Sequence, residues 1–574
     1  DIPYTDPGGN SFFNQLGLAN LGRIEVIKGP GGSMYGAGTG GVILITNDND
    51  YTHRGGTVDY SGGSFGSNNF HANLRGGKTD QLYNNFHLQY QNSNGYRDQT
   101  KMEKRVISWD GVAKVGEKGI LRANFMQGNL FYETPGGLTA AEYANDPKAA
   151  RPGAEVAHAS IEQKLFFAGF NYFLKWNDHW ESSASLYGSF AQLNNPTIRN
   201  YERRTEPHFG TRNTIRFRDT LGNTQLTLYG GIEAQQGFGT SKVYANVNGL
   251  PGAPQTDDQI SNGQTSVYFQ GTVELNKGWF FTGGASFNLL KVDIEEFTNP
   301  YTNQERKYNN EVAPRLAVLK KITPLISVYG SVAKGFSPPT TAEILPSTGI
   351  INTSLEAEHG INTELGIKGN TFSNKLFFDV NVFNFMLENT IAQRRDSTGA
   401  DYFVNSGSTK QRGVETFISY QLAGKSSVLF DNVKVWASHT WNNFRYNNFQ
   451  KVADDTTDYS GNKIPGIPKN YLAAGFDALF KKGFYINLTY YYSDPMPLND
   501  ANTDHASSYN LLDARIGYKR GLFENAWMEI FAAVDNAFDV KYSLGNDINA
   551  FGGRYYNAAP GINYFAGISL RYNW

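Results

Sequence analysis

Arg23-Ile-Glu-Val-Ile-Lys-Gly-Pro-Gly-Gly-Ser-Met-Tyr-Gly-Ala-Gly-Thr-Gly-Gly-Val-Ile-Leu-Ile-Thr46 is the stretch whose reading decides the fold. Runs rich in β-branched residues at 23–28 and 42–46 flank a segment, 29–41, dominated by a residue that tolerates positive φ. This pattern predicts strand, turn and strand with no helix. Gly36, Gly38 and Gly41 also satisfy the G-x-G-x-x-G spacing of a dinucleotide site. That chemistry needs a helix N-terminus behind the glycines to hold the pyrophosphate, whereas Val42-Ile-Leu-Ile-Thr46 is strongly β. No Lys-Ser or Lys-Thr follows the glycines, so the phosphate-binding P-loop fails too.

Composition widens the β reading. The chain holds 39 Phe, 34 Tyr, 8 Trp and 62 Gly but only 6 Met among its 574 residues, which favours sheet over helical packing. No window approaches 18 uninterrupted apolar residues, so no helix is expected to cross a bilayer. A transmembrane β-barrel escapes that test because only alternate residues face lipid. With 51 basic and 53 acidic residues the chain has no electrostatic footprint for nucleic acid. The absence of cysteine removes disulfides, thiolate metal sites and cysteine nucleophiles together. The nine histidines are scattered, His-Glu-x-x-His is absent, and no nucleophile, base and orienting acid can be assembled. The reading is therefore of a protein that is not an enzyme and has no resident cofactor.

After a polar joint at 47–54 one pattern persists to the end: segments alternate apolar and polar residues for about ten positions, the length a tilted strand needs to cross the hydrocarbon layer. Phe86, Leu88 and Tyr90 alternate with His87 and Gln89, and Leu226, Leu228 and Ile232 with Gln225, Thr227 and Glu233. Short polar turns near 78–82, 116–119, 176–180, 221–224, 276–279, 320–324, 370–375, 423–432, 479–483 and 519–527 separate longer, less regular segments, among them 191–212, 237–262, 390–403 and 443–470. About ten short turns and eleven long connections predict about 22 antiparallel strands, a barrel whose lumen needs a plug. The expected division is a partial plug at 1–47 and a transmembrane β-barrel at 48–574. In the last strand Tyr564, Ala566, Ile568, Leu570, Tyr572 and Trp574 are expected to face lipid, with Gly567, Ser569, Arg571 and Asn573 inward.

The opening stretch closely resembles the end of the plug domain of TonB-dependent outer-membrane receptors, and further pieces follow in the family's order. Lys334-Gly-Phe-Ser-Pro-Pro-Thr340, Leu355-Glu-Ala-Glu358, Thr363-Glu-Leu-Gly366, Phe403-Val-Asn-Ser-Gly407 with Arg412-Gly-Val-Glu415, Ile464-Pro-Gly-Ile-Pro468, and Val534-Asp-Asn-Ala-Phe-Asp539 with Lys541-Tyr542 resemble its barrel motifs. The resemblance implies the outer membrane of a Gram-negative bacterium and energy-coupled uptake of a ferric siderophore or similar metal chelate. Cobalamin, haem or a small glycan is the alternative cargo, and a passive porin or surface attachment protein the alternative class. It implies the TonB-ExbB-ExbD complex as energy source, lipopolysaccharide and other outer-membrane lipid as surroundings, and the barrel assembly machinery as reader of the last strand. A complete family plug is much longer than residues 1–47, so an energy-coupling box and more plug are expected upstream.

By the same resemblance, Phe12, Phe13, Asn14 and Gln15 belong near an outward apex of the plug, where aromatics beside amides suit a bulky chelate. Tyr201 with Arg203 and Arg204, the pair Arg394 and Arg395, and the cluster Trp441, Arg445 and Tyr446 are expected to line the loops and attract an anionic chelate. Arg23 and Glu25 are the candidate latch between plug and barrel. Asp454, Asp455 and Asp458 form an acidic run read as solvated rather than calcium-binding. The absence of histidine between Phe336 and Leu355 disfavours haem, although His359 follows closely.

Overall fold

The computed structural model describes residues 2–17, 20–47, 54–77, 81–298, 300–346, 351–395, 401–449 and 457–574. From Gly55 onward the chain forms one closed antiparallel barrel. It has 22 staves, one of them interrupted: Thr302–Lys307 and Glu311–Thr323 both pair along Trp279–Glu296. The last strand, Asn563–Asn573, closes the ring against the first, Gly55–Gly63, from Phe565 opposite Gly63 to Asn573 opposite Gly55. Closure leaves the sheet without an edge, the condition for crossing a membrane with strands.

The period of two fixes inside and outside. Phe86 and Leu88 stand exposed on the outer face while Asn85, His87 and Gln89 are buried inside. In the closing strand Tyr564, Ala566, Ile568, Leu570 and Tyr572 all point outward, alternating with Gly567, Ser569, Arg571 and Asn573, as expected. Short turns gather at one rim and long connections at the other.

Two segments read as irregular, 191–212 and 237–262, are instead ladder apart from the tight turns at 197–199 and 248–249. Asn200–Leu221, Thr224–Val247 and Leu250–Leu275 run for 22, 24 and 26 residues, well past the membrane. Above the bilayer both faces of a sheet meet water, so apolar alternation ceases while backbone pairing continues. Polar rungs take over, such as Thr205 with Thr240 (Oγ1 to Oγ1 2.8 Å) and Lys242 with Asp257 (2.8 Å).

The amino-terminal segment lies within the ring. Leu21–Lys28 pairs antiparallel with Gly41–Asn47, from Arg23 opposite Thr46 to Lys28 opposite Gly41. The expected helix-free turn is corrected in one detail: Gly32–Tyr35 forms a single helical turn, with the Met34 and Tyr35 amides both 3.3 Å from the Gly31 carbonyl. Gly36, at φ +70°, ends it before it can grow into a phosphate-binding helix. Gly41 is at φ +140°, where a Cβ would stand 2.3 Å from the Ile27 carbonyl oxygen, so the tight closure of the hairpin admits only glycine.

Candidate functional site

Residues 2–17 meet the wall in the half of the barrel nearer the long connections. Phe12 is buried in a cluster with Val106, Met126, Leu165, Phe167 and Ala191, flanked by Ile2, Tyr4 and Leu16. Gln15 is fully buried, and its Nε2 donates to the carbonyl and side-chain oxygens of Gln163, each at 3.2 Å. Phe13 and Asn14 turn the other way. Phe13 is 43% exposed and stacks on Tyr4 with centroids 6.0 Å apart, while Lys104 Nζ reaches the carbonyls of Asn14 and Leu16 at 3.4 Å. Of the four residues assigned to a ligand apex, Phe12 and Gln15 are anchors in the wall, and Phe13 and Asn14 are exposed.

The 6–10 loop is held by its own Asp6, whose carboxylate accepts from the amides of Gly8 and Asn10 at 2.9 Å. It sits on the segment that carries one of the family-like motifs: Thr341 donates its amide to the Gly8 carbonyl at 2.9 Å, and the Phe336 carbonyl accepts from Gly38 at 2.7 Å. Thr340 caps the short helix Thr341–Ile344, its side chain and that of Glu343 bonding each other's backbone amides. The Gly-Phe-Ser-Pro-Pro-Thr motif and the Thr341 that follows it thus have a physical role: each seats the amino-terminal segment at one point.

The middle of the segment is fixed by Arg212, which is buried, ion-paired to Glu233 and placed between the rings of Tyr35 (5.4 Å) and Tyr268 (4.6 Å). Its Nη2 donates to the Met34 carbonyl at 2.7 Å. At the hairpin's end Lys28 reaches Glu415 of the barrel at 2.7 Å. Beside it Gly29, at φ +67°, approaches Asn362 and Glu364 so closely that a Cβ would lie 2.4 Å from Asn362 Nδ2. Arg23 and Glu25, the candidate latch, make no ion pair to the barrel among the described residues. Being two apart on one strand they share a face, and they pair with each other, leaving Lys28 to bridge to the barrel. Toward the short-turn rim, Val26, Ile27 and Lys28 border a cavity of about 850 Å³ whose polar wall includes Arg315, Glu364, Asp379 and Glu415.

Strand geometry divides the rim residues. Arg203 and Arg204 are neighbours on a strand and so face opposite ways. Arg203 shares the outward parity of exposed Phe209 and lies over the rings of Tyr201 and Tyr244, while Arg204 points inward between Glu202 and Glu206, 3.2 and 3.7 Å away. Trp441 and Arg445 are likewise outward: they stand opposite Val414 and Lys410 in a ladder whose Ile418 is exposed and whose Thr409 is buried. Tyr446, opposite Thr409, is inward and buried. Its hydroxyl donates to Asp500 at 2.6 Å, and burial beside that carboxylate pushes its pKa up. Asp500 also receives Arg394, at 2.7 Å, from a hairpin of Ile391–Arg395 with Asp401–Asn405. The Arg395 side chain, like Asp454 and Asp455, lies outside the described residues. Asp458 accepts from the Ser460 amide at 2.9 Å, and among the described residues no group of three or more His, Asp or Glu could hold a metal ion.

Sequence reasoning missed Tyr4, Lys28, Arg212, Asp500 and Glu415. Glu415 stood in a quoted motif and Lys28 in the opening stretch, so both carried a signal. Arg212 and Asp500 meet partners far away in the chain and carried none.

Comparison with known proteins places this architecture. Residues 117–537 match the family described as TonB dependent receptor-like, beta-barrel. The chain belongs to that family. As a TonB-dependent receptor barrel it is a protein of the Gram-negative outer membrane. It is 20% identical over 467 residues to the metal-pseudopaline receptor CntO of Pseudomonas aeruginosa, covering 72% of this chain and 63% of that protein. Over 336 residues it is 24% identical to the ferrioxamine receptor of Yersinia enterocolitica, covering 58% and 43% respectively. The chain thus spans about three fifths or less of the length of these curated relatives. Among solved structures it superimposes on the unliganded ferric citrate transporter FecA with a TM-score of 0.82 at 18% identity, covering 97% of this chain and 85% of that one. At that identity the likeness is one of fold.

Proposed function

We propose that this chain is the barrel and part of the plug of a TonB-linked receptor that imports a ferric siderophore or a similar metal chelate. The observation that carries this reading is the occupied lumen: residues 2–47 are tied to the wall through Phe12, Gln15, Lys28 and the Arg212 contact to Met34. A diffusion pore gains nothing from such an obstruction, whereas a gated importer depends on one. Residues 1–47 are then plug and 48–574 barrel. Ligand meets Phe13 and Asn14 of the plug, with Arg204, Arg394 and Tyr446 on the inner wall. Arg203, Trp441 and Arg445 serve the outer surface instead. Both inward guanidiniums are already balanced by carboxylates, so the site favours a chelate of low net charge over a strongly anionic one.

Lys28 with Glu415 takes the latch role. The work comes from TonB with ExbB and ExbD, acting on the plug, and no covalent chemistry is performed. The barrel assembly machinery reads the outward aromatics of the last strand. The test is accumulation of radiolabelled ferric chelates by cells expressing the full-length receptor against cells lacking it, with receptor abundance followed under iron starvation. Saturable uptake abolished by a protonophore, with induction when iron is scarce, is the expected result. Uptake that is linear in concentration and indifferent to the protonophore would return the protein to the porins.

A further inference from the structure

Residues 6–10 and the inner wall enclose a crevice whose charges do not balance. It has a volume of about 30 Å³, room for one water-sized group, and its lining includes Asp6, Arg204, Glu206, His208 and Asn262. A strand tilted by about 40° crosses an apolar band of about 25 Å in roughly ten residues. Counted from Leu221 at the short-turn rim, Glu206 and His208 lie beyond that span, above the bilayer. Among the described residues Arg204 is the one cation of the lining, with Glu202 3.2 Å and Glu206 3.7 Å from its Nε. The Asp6 carboxylate is hydrogen-bonded by Gly8 and Asn10, but among the described residues no cation is ion-paired to it. Three carboxylates, Asp6, Glu202 and Glu206, therefore share one guanidinium.

Two buried polar atoms of the same lining have no partner. Asn262 Nδ2 donates to Thr341 Oγ1 at 2.9 Å, which fixes the amide and leaves Oδ1 without a hydrogen bond. His208, with its proton on Nδ1 and bonded to the Ser189 hydroxyl at 3.0 Å, presents a lone pair on Nε2 that nothing meets. Buried acceptors are rarely left so, because an unmet one is costly. A water would satisfy both atoms but not the charge. A metal ion would satisfy the charge, but among the described residues no three carboxylates or imidazoles converge as ligands. What fits is a group with a positive charge and three donors in the space of one water. A primary ammonium is that group, its N–H bonds matching Glu206, Asn262 Oδ1 and His208 Nε2.

Without such a group the crevice takes a proton instead. Burial pushes the Glu206 pKa up to about 7, opposed by Arg204 and reinforced by Asp6 and Glu202. Burial also lowers the His208 pKa from its usual 6.5, with Asp6 opposing, which favours the neutral ring. Among the described residues no other titratable group lines the space. An ammonium binds the ionised form of Glu206, so its affinity rises as pH passes upward through about 7, by about tenfold between pH 6 and pH 8.

We propose that this crevice is a subsite for a primary ammonium group, and that the metal chelate entering the lumen carries one; the second half rests on the transport reading, the first does not. The test of the subsite is hydrogen exchange at residues 6–10 of the full-length receptor in methylammonium chloride against tetramethylammonium chloride at equal ionic strength. Tetramethylammonium has the charge but no N–H, and it is too large for the space. The expected result is a saturable slowing, about threefold or more, with methylammonium alone, stronger at pH 8 than at pH 6 and lost in Glu206→Gln. Heat-modified mobility on gels checks that the variant is folded; if it is not, the comparison of the two salts on the wild type decides. Equal effects of the two salts, or undiminished slowing in folded Glu206→Gln, would overturn the subsite. The cargo half is tested on ferric chelates that the receptor takes up: acetylating a free primary amine should cut uptake by about tenfold or more, because the acceptors are then left unpaired. Uptake indifferent to acetylation, or confined to chelates without an amine, would overturn that half. Absence of any uptake falls on the transport reading, since the exchange experiment needs no cargo.

Discussion

The barrel and the hairpin inside it are both antiparallel β-structure, yet they are held in opposite ways. Each stave of the barrel has a bonded neighbour on either side, so its stability is distributed over a closed ladder in which no pairing is terminal. The hairpin Leu21–Lys28 and Gly41–Asn47 pairs only with itself among the described residues, and Ile24, Val26 and Ile43 leave an apolar face half exposed. A two-stranded ribbon is marginal alone. Its place is therefore set by a handful of side chains on the barrel wall, and removing one of those should loosen the segment while leaving the barrel intact. That asymmetry suits a gate, in which the frame must persist while the occupant yields.

The contrast is tested hardest at Arg212. Its guanidinium and the Glu233 carboxylate are both buried, and among the described residues it alone bonds the Met34 carbonyl. Arg212→Ala leaves the acid uncompensated inside, an effect typically of about 3–5 kcal/mol. Hydrogen exchange at residues 32–38 should rise by two orders of magnitude or more, while heat-modified mobility shows the barrel still closed. Loss of barrel closure in this variant would show that segment and barrel are one cooperative unit.

Phe12 and Phe13 divide the same question between adjacent residues. Phe12→Ala removes a ring packed on Val106, Met126 and Phe167 and should cost about 3 kcal/mol of docking. Phe13→Ala removes an exposed ring and should leave exchange within about 0.5 kcal/mol of wild type while weakening chelate binding several-fold. Titration of a ferric chelate against both variants separates anchor from contact; equal losses of affinity would erase the distinction.

How much of this was legible in the sequence follows from what repeats. Period-two alternation and turn chemistry recur on every stave, so barrel, strand number and the facing of residues 564–574 could all be read. The extended ladder through Tyr201 and Arg204 was not, because above the membrane its two faces are equally polar. Misreading it as loop hid a fact the strand period would have supplied, that Arg203 and Arg204 cannot line one surface. The Arg394 to Asp500 pair joins two long connections far apart in the chain, and no local pattern encodes it. The glycines of 29–41 were recognisable as turn formers, but the close approach of Gly29 to Asn362 needed the fold.

A smaller effect is expected at Glu358, at the rim end of its strand, where the carboxyl accepts from the Ile391 amide at 2.7 Å and holds one end of the hairpin bearing Arg394. Burial pushes its pKa up from 4.5 to about 7, with Glu343 adding to the rise. The docked carboxyl keeps its proton to higher pH than the undocked one. Its contribution is therefore fully present below about pH 4.5 and lost as pH rises through about 7. Amide exchange in 391–395 should quicken across that window by the equivalent of about 1–2 kcal/mol, and Glu358→Gln should flatten the profile. A wild-type profile that is already flat would remove Glu358 as the cause.

The smallest effect is the most informative about coupling to TonB. Lys28 is largely exposed and its partner Glu415 only partly buried, so their 2.7 Å pair is screened by the water of the adjoining cavity. A double-mutant cycle of Lys28→Ala with Glu415→Ala, read as exchange at residues 24–28, should give a coupling of about 0.5–1 kcal/mol. On the proposed transport reading that weakness is functional: a latch opened by pulling on each cycle would be better built from several screened contacts than from one buried pair. Arg212 holds the part of the segment nearer the wall, and Lys28 the part that borders open space. A coupling above about 2 kcal/mol would place the strong anchor at the wrong end and reverse the order in which the segment is drawn from the barrel.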